Sequence, residues 1–185
     1  MSDNHPTRCD LMLFGALGDL AQRKLFPALY QLERANLLAP GSRILAVARP
    51  AQEPDAVRRQ LQESLRRHVG PAEFDAAVAD AFLARVAYQS LDFRDAEGYA
   101  LLREWRGDES HPLIVYMATP PSMYGVIGRH LKQAGCCDPH TRVVVEKPIG
   151  HDLASSRAIN DALGEVFDES QLFRIDHYLG KETVQ

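Results

Sequence analysis

The chain has 185 residues, 45% hydrophobic and 25% charged, with a formal net charge of −4, which is the profile of one globular domain with its own core. That mild acidity gives no general attraction for nucleic acid or an anionic membrane, and no apolar run approaches the ~20 residues of a membrane-crossing helix. Cys9, Cys136 and Cys137 fit neither a metal site nor a disulfide framework, and the seven histidines are scattered without an HExxH pattern; the reading is reduced thiols, a cytoplasmic location and no metal.

The polar opening "MSDNHPTRCD" lacks the form of a signal peptide. "LMLF" (11–14) then reads as a first buried strand, and beyond it Leu25, Leu29 and Leu32 recur at i, i+4 and i+7 as a helix face. Pro27 lies early enough in that helix to be a first-turn residue or a kink. "RILAVA" (43–48) is a second strand. Val57, Leu61 and Leu65 follow a helix start at Pro54-Asp55, and Phe74, Val78 and Phe82 form a third stripe. The remaining strands are "RVAYQ" (85–89), "PLIVYMA" (112–118), "TRVVVE" (141–146) and "QLFRI" (171–175). Between two of them, "SMYGVIGRHLKQAG" reads as a helix with Ser122 as N-cap and Gly135 just past its end. Apolar strands alternating with helices predict an α/β fold. The expected form is a doubly wound, Rossmann-like parallel sheet of six strands with helices on both faces. Residues 1–175 make that domain. Residues 176–185 read as the opening of a further one, so the chain has the look of a piece of a longer protein.

Three stretches carry chemistry. The first strand runs into Gly15-Ala16-Leu17-Gly18-Asp19-Leu20-Ala21, a G-x-x-G-x-x-A form of the dinucleotide fingerprint. Gly15 permits the tight turn, Gly18 lets backbone approach a diphosphate, and Ala21 allows close helix packing. The following helix start offers N–H groups and partial positive charge. A ligand-free turn is the alternative at this point. Arg49 stands at the tip of the second strand, where an acid would hold the 2′-hydroxyl of NAD, and so favours NADP; an arginine merely solvated on a loop is the competing reading.

Glu146 and Lys147 end the fifth strand, and Pro148 holds Lys147 extended. The prolines of "YMATPPS" (116–122) stiffen the neighbouring strand end. In "RIDHYLGKE", a helix starting there would put His177 and Lys181 on one face, where with Tyr178 they would make a phosphate-binding trio; taken singly, each reads as a surface group. Asp176 is placed to orient a histidine from elsewhere in the protein.

"GALGDLAQRKLFPALYQL", "EKPIGHD" and "RIDHYLGKE", in this order and spacing, resemble the glucose-6-phosphate dehydrogenase family over essentially the whole chain. The resemblance implies that Gly15, Ala16, Leu17, Gly18, Asp19 and Leu20 bind the cofactor diphosphate and Arg49 the 2′-phosphate of NADP. Asp92 and Phe93 lie on the adenine side. Lys147 touches cofactor and sugar, and His177, Tyr178 and Lys181 hold the sugar phosphate. Asp176 supports a catalytic histidine located beyond these residues. The implied reaction is NADP-dependent oxidation of glucose 6-phosphate to the lactone, the first step of the pentose phosphate pathway, in a longer and homo-oligomeric protein. Leu17 departs from the Ser or Thr of many members, which removes a side-chain bond to the diphosphate. Two alternatives remain: a sugar oxidoreductase of the glucose–fructose oxidoreductase class, and a non-catalytic NADP-binding module.

Overall fold

Runs with no polar alternation become strands covered on both faces. In the computed structural model, which describes residues 6–107, 111–147 and 152–176, the strands are β1 (Asp10–Phe14), β2 (Arg43–Ala48), β3 (Val86–Ser90), β4 (Leu113–Met117), β5 (Arg142–Glu146) and β6 (Leu172–Ile175). They form one six-stranded sheet in the order β3-β2-β1-β4-β5-β6, every ladder parallel. All six match the sequence expectation with ends shifted by at most one residue. After β3 the chain crosses back to the far side of β1. Right-handed crossovers therefore put the early and late helices on opposite faces. Helices α1 (Phe26–Arg34), α2 (Pro54–His68) and α3 (Ala76–Ala84) pack with Leu13, Ile44 and Ala46. Helices α4 (Tyr99–Arg106), α5 (Tyr124–Gln133) and α6 (Leu153–Gly164) pack with Met12, Phe14, Val115 and Val145.

The first helix departs from the expected face. A π-turn over Ala21–Leu25 precedes α1, with the Phe26 N–H donating to the Ala21 carbonyl. The wider turn changes the phase, so Ala21, Phe26 and Tyr30 are buried while Leu25 and Leu29 are half-buried and Leu32 is exposed. Pro27 explains the turn. It has no N–H to return to the carbonyl of Gln22 five residues back. The hydroxyl of Ser64 on α2 donates to that carbonyl instead, at 2.8 Å. Val57, Leu61 and Leu65 are buried as expected.

Phe74 lies ahead of α3, stacked on Tyr30, and Asp75 caps the helix by accepting from the amides of Ala77 and Val78 (2.7 and 3.1 Å). Ser122 does not act as an N-cap, because Pro121 opens a 3₁₀ turn (Pro121–Met123) and places Ser122 inside it. Gly135 does close α5. Its φ of +70° allows Cys136 N–H to reach the Leu131 carbonyl and Gly135 N–H the Lys132 carbonyl, a Schellman arrangement. Burial pushes the thiols of Cys136 and Cys137 up to about 11 and about 12, so both stay protonated at neutral pH.

At its N-terminal end the central strand is fixed by charge. Asp10 is fully buried and accepts from Arg43 (3.0 and 2.5 Å) and Arg106 (2.8 Å), with His111 Nε2 2.9 Å away. Burial alone would raise this carboxyl, but the donors Arg43, His111 and Arg106 outweigh it and hold Asp10 below its ordinary 3.8. A group lowered on folding adds stability above its unfolded value and loses it as pH falls through the folded one. Asp10→Asn should therefore destabilise the protein at neutral pH by roughly 3–5 kcal/mol, since it strands the buried Arg106 guanidinium and leaves the partly exposed Arg43 without its carboxylate. Its stability should also decline less than the parent's as pH drops below about 4. Thermal melts of both proteins across that range check this; parallel acid limbs would refute it.

Candidate functional site

The C-terminal ends of the strands carry the candidate residues, and the switch from β2-β1 to β4-β5 opens a crevice there. The glycine loop is built from backbone. Gly15 and Ala16 both donate N–H to the Val47 carbonyl (2.9 and 3.2 Å), Gly18 donates to the Gly15 carbonyl (2.9 Å), and the Gln22 side-chain amide donates to the Leu17 carbonyl (2.7 Å). Gly15 has φ +81°, and a Cβ there would stand 2.2 Å from the Ala118 carbonyl oxygen. Only glycine allows β1 and β4 to end that close together.

Two adjoining clefts run along this edge. One, of about 290 Å³, is lined by Gly15, Leu17, Gly18, Arg49, Phe93 and Thr119, among others. Its neighbour, of about 220 Å³, is lined by Arg49, Asp92, Phe93, Arg94, Pro120, Ser122 and Met123. Arg49, Phe93 and Pro120 belong to both, so the two make a single groove from the glycine loop across the end of β2 toward the end of β3. Phe93 is its fixed wall, its ring edge-on to Phe14 at 5.6 Å. The Phe93 carbonyl accepts from the Tyr99 hydroxyl (3.0 Å) and lies 3.3 Å from His130 Nδ1. The Arg49 backbone is held by the Ser90 hydroxyl, which donates to its carbonyl at 3.1 Å, while Tyr88 donates to the carbonyl of Pro50. The Arg49 side chain is left exposed in the groove.

The structure thus brings together Gly15, Leu17, Gly18, Arg49, Asp92 and Phe93. Three other loop residues of the expected set line neither cleft with their side chains. Ala16 is fully buried with its amide bonded to Val47, so it supports the loop from behind. Asp19 is exposed and pairs with Arg23 one helical turn on (3.4 Å), and Leu20 enters the helix half-buried.

Lys147 and Asp176 form a second group at the ends of β5 and β6. Lys147 is exposed, and its N–H donates to the Ile175 carbonyl at 2.9 Å, extending the ladder by one residue. Glu146 faces elsewhere and accepts from the Tyr116 hydroxyl at 2.5 Å. Burial and then that carboxylate push the Tyr116 phenol well above its ordinary value, so it remains a donor. His177, Tyr178 and Lys181 lie outside the described residues. Among the described residues no group of three His, Cys, Asp or Glu side chains is placed to hold a metal.

Sequence reasoning did not single out Arg94, Met123 or Thr119. Arg94 and Met123 carry no motif and are identified by position alone. Thr119 is notable because its Oγ1 is buried with no hydrogen-bond partner among the described residues.

The family model described as glucose-6-phosphate dehydrogenase, NAD binding domain, matches residues 12–185. A glucose-6-phosphate 1-dehydrogenase of Dickeya dadantii is 46% identical over 176 residues, which are 95% of this chain and 36% of that protein. The crystal structure of glucose-6-phosphate 1-dehydrogenase from Mycobacterium avium superposes with a TM-score of 0.85 at 38% identity, covering 95% of this chain and 37% of that one. A glucose-6-phosphate dehydrogenase in complex with its substrate glucose-6-phosphate gives a TM-score of 0.83 at 34% identity, covering 98% and 39%. This chain therefore spans little more than a third of the length of such relatives. The glucose–fructose oxidoreductase alternative is set aside at the level of family.

Gly15→Ala should disrupt the loop, because the new methyl meets the Ala118 carbonyl and the left-handed backbone adds about 1–2 kcal/mol. A lower melting temperature together with lost dinucleotide binding is expected. In Gly18→Ala the added Cβ has 3.0 Å to the Gly15 carbonyl, so a smaller loss should follow. Calorimetric titration and thermal melts of the two variants decide it; equal behaviour would show that the close approach at Gly15 is unimportant.

Proposed function

This chain belongs to the glucose-6-phosphate dehydrogenase family, and from that premise we propose that it is the coenzyme-binding part of a cytoplasmic enzyme that oxidises glucose 6-phosphate with NADP. The observation that carries the coenzyme reading is Arg49, exposed at the tip of β2 in the groove that begins at Gly15 and Gly18. Those glycines bare the backbone of a helix start, which suits a diphosphate. Phe93, Pro120 and Met123 offer an apolar wall to an adenine ring. Arg49 supplies the charge that a 2′-phosphate needs and that NAD does not use.

In the reaction, C1 of the sugar loses a hydride and its hydroxyl loses a proton, giving the lactone. Bound NADP supplies the acceptor for the hydride. Lys147 works at the sugar side of the crevice, held in place through its backbone bond to Ile175, and can donate to a sugar hydroxyl and orient it. Asp176, on the next strand end, is the partner for a catalytic histidine. His177, Tyr178 and Lys181 hold the sugar phosphate. None of the described histidines lines either cleft: His130 sits against the Phe93 carbonyl and His111 against Asp10. Proton removal from the sugar falls, in this reading, to the histidine that Asp176 supports.

Arg49→Ala should weaken NADP binding about ten- to a hundredfold, the range of a charge-assisted hydrogen bond, and leave NAD nearly unchanged. Equal losses for the two coenzymes in titration would refute the assignment. The 185-residue chain itself should bind NADP but not reduce it when glucose 6-phosphate is added, because loss of a general base alone removes typically 10²–10⁴-fold. Absorbance of the reduced coenzyme is the readout, and turnover at the rate of ordinary dehydrogenases would place a base within these residues.

A further inference from the structure

We infer that Arg94 is a second cation for the 2′-phosphate, so that Arg49 and Arg94 grip it from two adjacent strand ends; this rests on the NADP reading above and adds a residue to it. The two positions converge because β2 and β3 are parallel neighbours in register, Ala48 opposite Ser90. Arg49 is the residue after β2, and Arg94 follows the turn that leaves β3. That turn is rigid. The Asp92 carboxylate accepts from the Arg94 N–H at 3.0 Å, and Asp95 N–H donates to the Asp92 carbonyl at 2.9 Å. Phe93 between them is locked by its ring contact with Phe14 and by the Tyr99 hydroxyl. The stem of Arg94 is therefore fixed at the rim of the cleft of about 220 Å³ that Arg49 also lines.

Neither guanidinium has a hydrogen-bond or ion-pair partner among the described residues, whereas Arg43, Arg85, Arg106 and Arg174 are all engaged with carboxylates. Two unpartnered guanidiniums on one small cleft repel each other, and an anion between them relieves that. Among the described residues Asp92 is the only carboxylate lining the cleft, and one of its oxygens already faces the Arg94 amide. Counting lining side chains, two positive charges against one negative leave the cleft net positive in a chain whose overall charge is −4. A dianionic phosphate with several acceptor oxygens fits two forks approaching from different sides. The apolar remainder, Phe93, Pro120 and Met123, suits the base attached to the same ribose.

The probes are 2′,5′-ADP and 5′-AMP, which differ only in the 2′-phosphate. Because the Arg94 side chain bonds to nothing else described, Arg94→Gln should fold and melt like the parent. It should weaken 2′,5′-ADP about tenfold while 5′-AMP stays within about twofold. Arg94→Lys should recover part of the loss, since it keeps the charge but not the fork. The double variant with Arg49→Ala should bind the two probes equally. An unchanged affinity for 2′,5′-ADP in Arg94→Gln, with Arg49→Ala losing its preference for that probe, would overturn the role of Arg94 and leave the NADP reading standing. Equal weakening of both probes would overturn it too, by placing the contact on the base or ribose. A parent protein that binds both probes alike would overturn the NADP reading itself.

Discussion

The groove depends on one close approach, that of the Gly15 backbone to the Ala118 carbonyl where β1 and β4 end side by side. A side chain at Gly15 would part the two strand ends, and with them Thr119 and Pro120 on one bank and the glycine loop on the other. The same glycine donates its N–H to Val47, so the loop is tied to β2 as well. Three strand ends are thus set relative to one another by backbone contacts alone. Side chains could vary widely around such a frame without moving it. What they change is which ligand the frame prefers.

The opposite end of β1 is organised on a different principle. Asp10 gathers Arg43 from β2, Arg106 from α4 and His111 from the approach to β4, so charge rather than close packing unites elements distant in sequence. A buried carboxylate of this kind is costly unless every donor is present, which makes the arrangement specific to one register of β2 and β4 against β1. A shift of β2 by one residue would reverse its faces and carry Arg43 away from Asp10. The ionic cluster therefore guards the register on which the glycine loop, five residues further along the strand, relies.

How far the sequence disclosed this arrangement follows from what each signal encodes. Strands such as "LIVYM" and "VVV" were legible because one face is buried and the other half-covered, which leaves an unbroken apolar run. The glycine loop and Arg49 were legible because a strand, a turn and a helix fix their position before any contact is known. The face of the first helix was misread, since Leu25, Leu29 and Leu32 fit a regular period and the π-turn forced by Pro27 does not. Ser122 looked like a cap because its residue type is right, but Pro121 had already begun the turn. Arg94 left no signal. Its place in the cleft arises from β2 and β3 lying side by side, a relation that no local pattern contains. That Ala16, Asp19 and Leu20 line neither cleft was hidden for the same reason, for a fingerprint marks a loop without saying which of its side chains face outward.

The strand order also divides the work of the edge. Ends of β1, β2 and β3 carry the glycine loop, Arg49, Asp92 and Phe93, while ends of β5 and β6 carry Lys147 and Asp176. β4 lies between, and its tail, Ala118 to Pro120, borders the first group. Tyr116 on β4 reaches the other way, to Glu146 beside Lys147. A change in how β4 sits would be felt on both sides at once, through Ala118 against Gly15 and through Tyr116 against Glu146. Its burial suits that position: Leu113, Val115 and Met117 are wholly enclosed in the core cluster shared with α4, α5 and α6, so β4 holds the two groups of strand-end residues at a fixed separation. On the proposed reading, with coenzyme on one side and sugar on the other, hydride transfer would tolerate little error in that separation, since reacting atoms must come within about 3–3.5 Å. A rigid central strand between two half-sites is the simplest way for a sheet to meet the requirement.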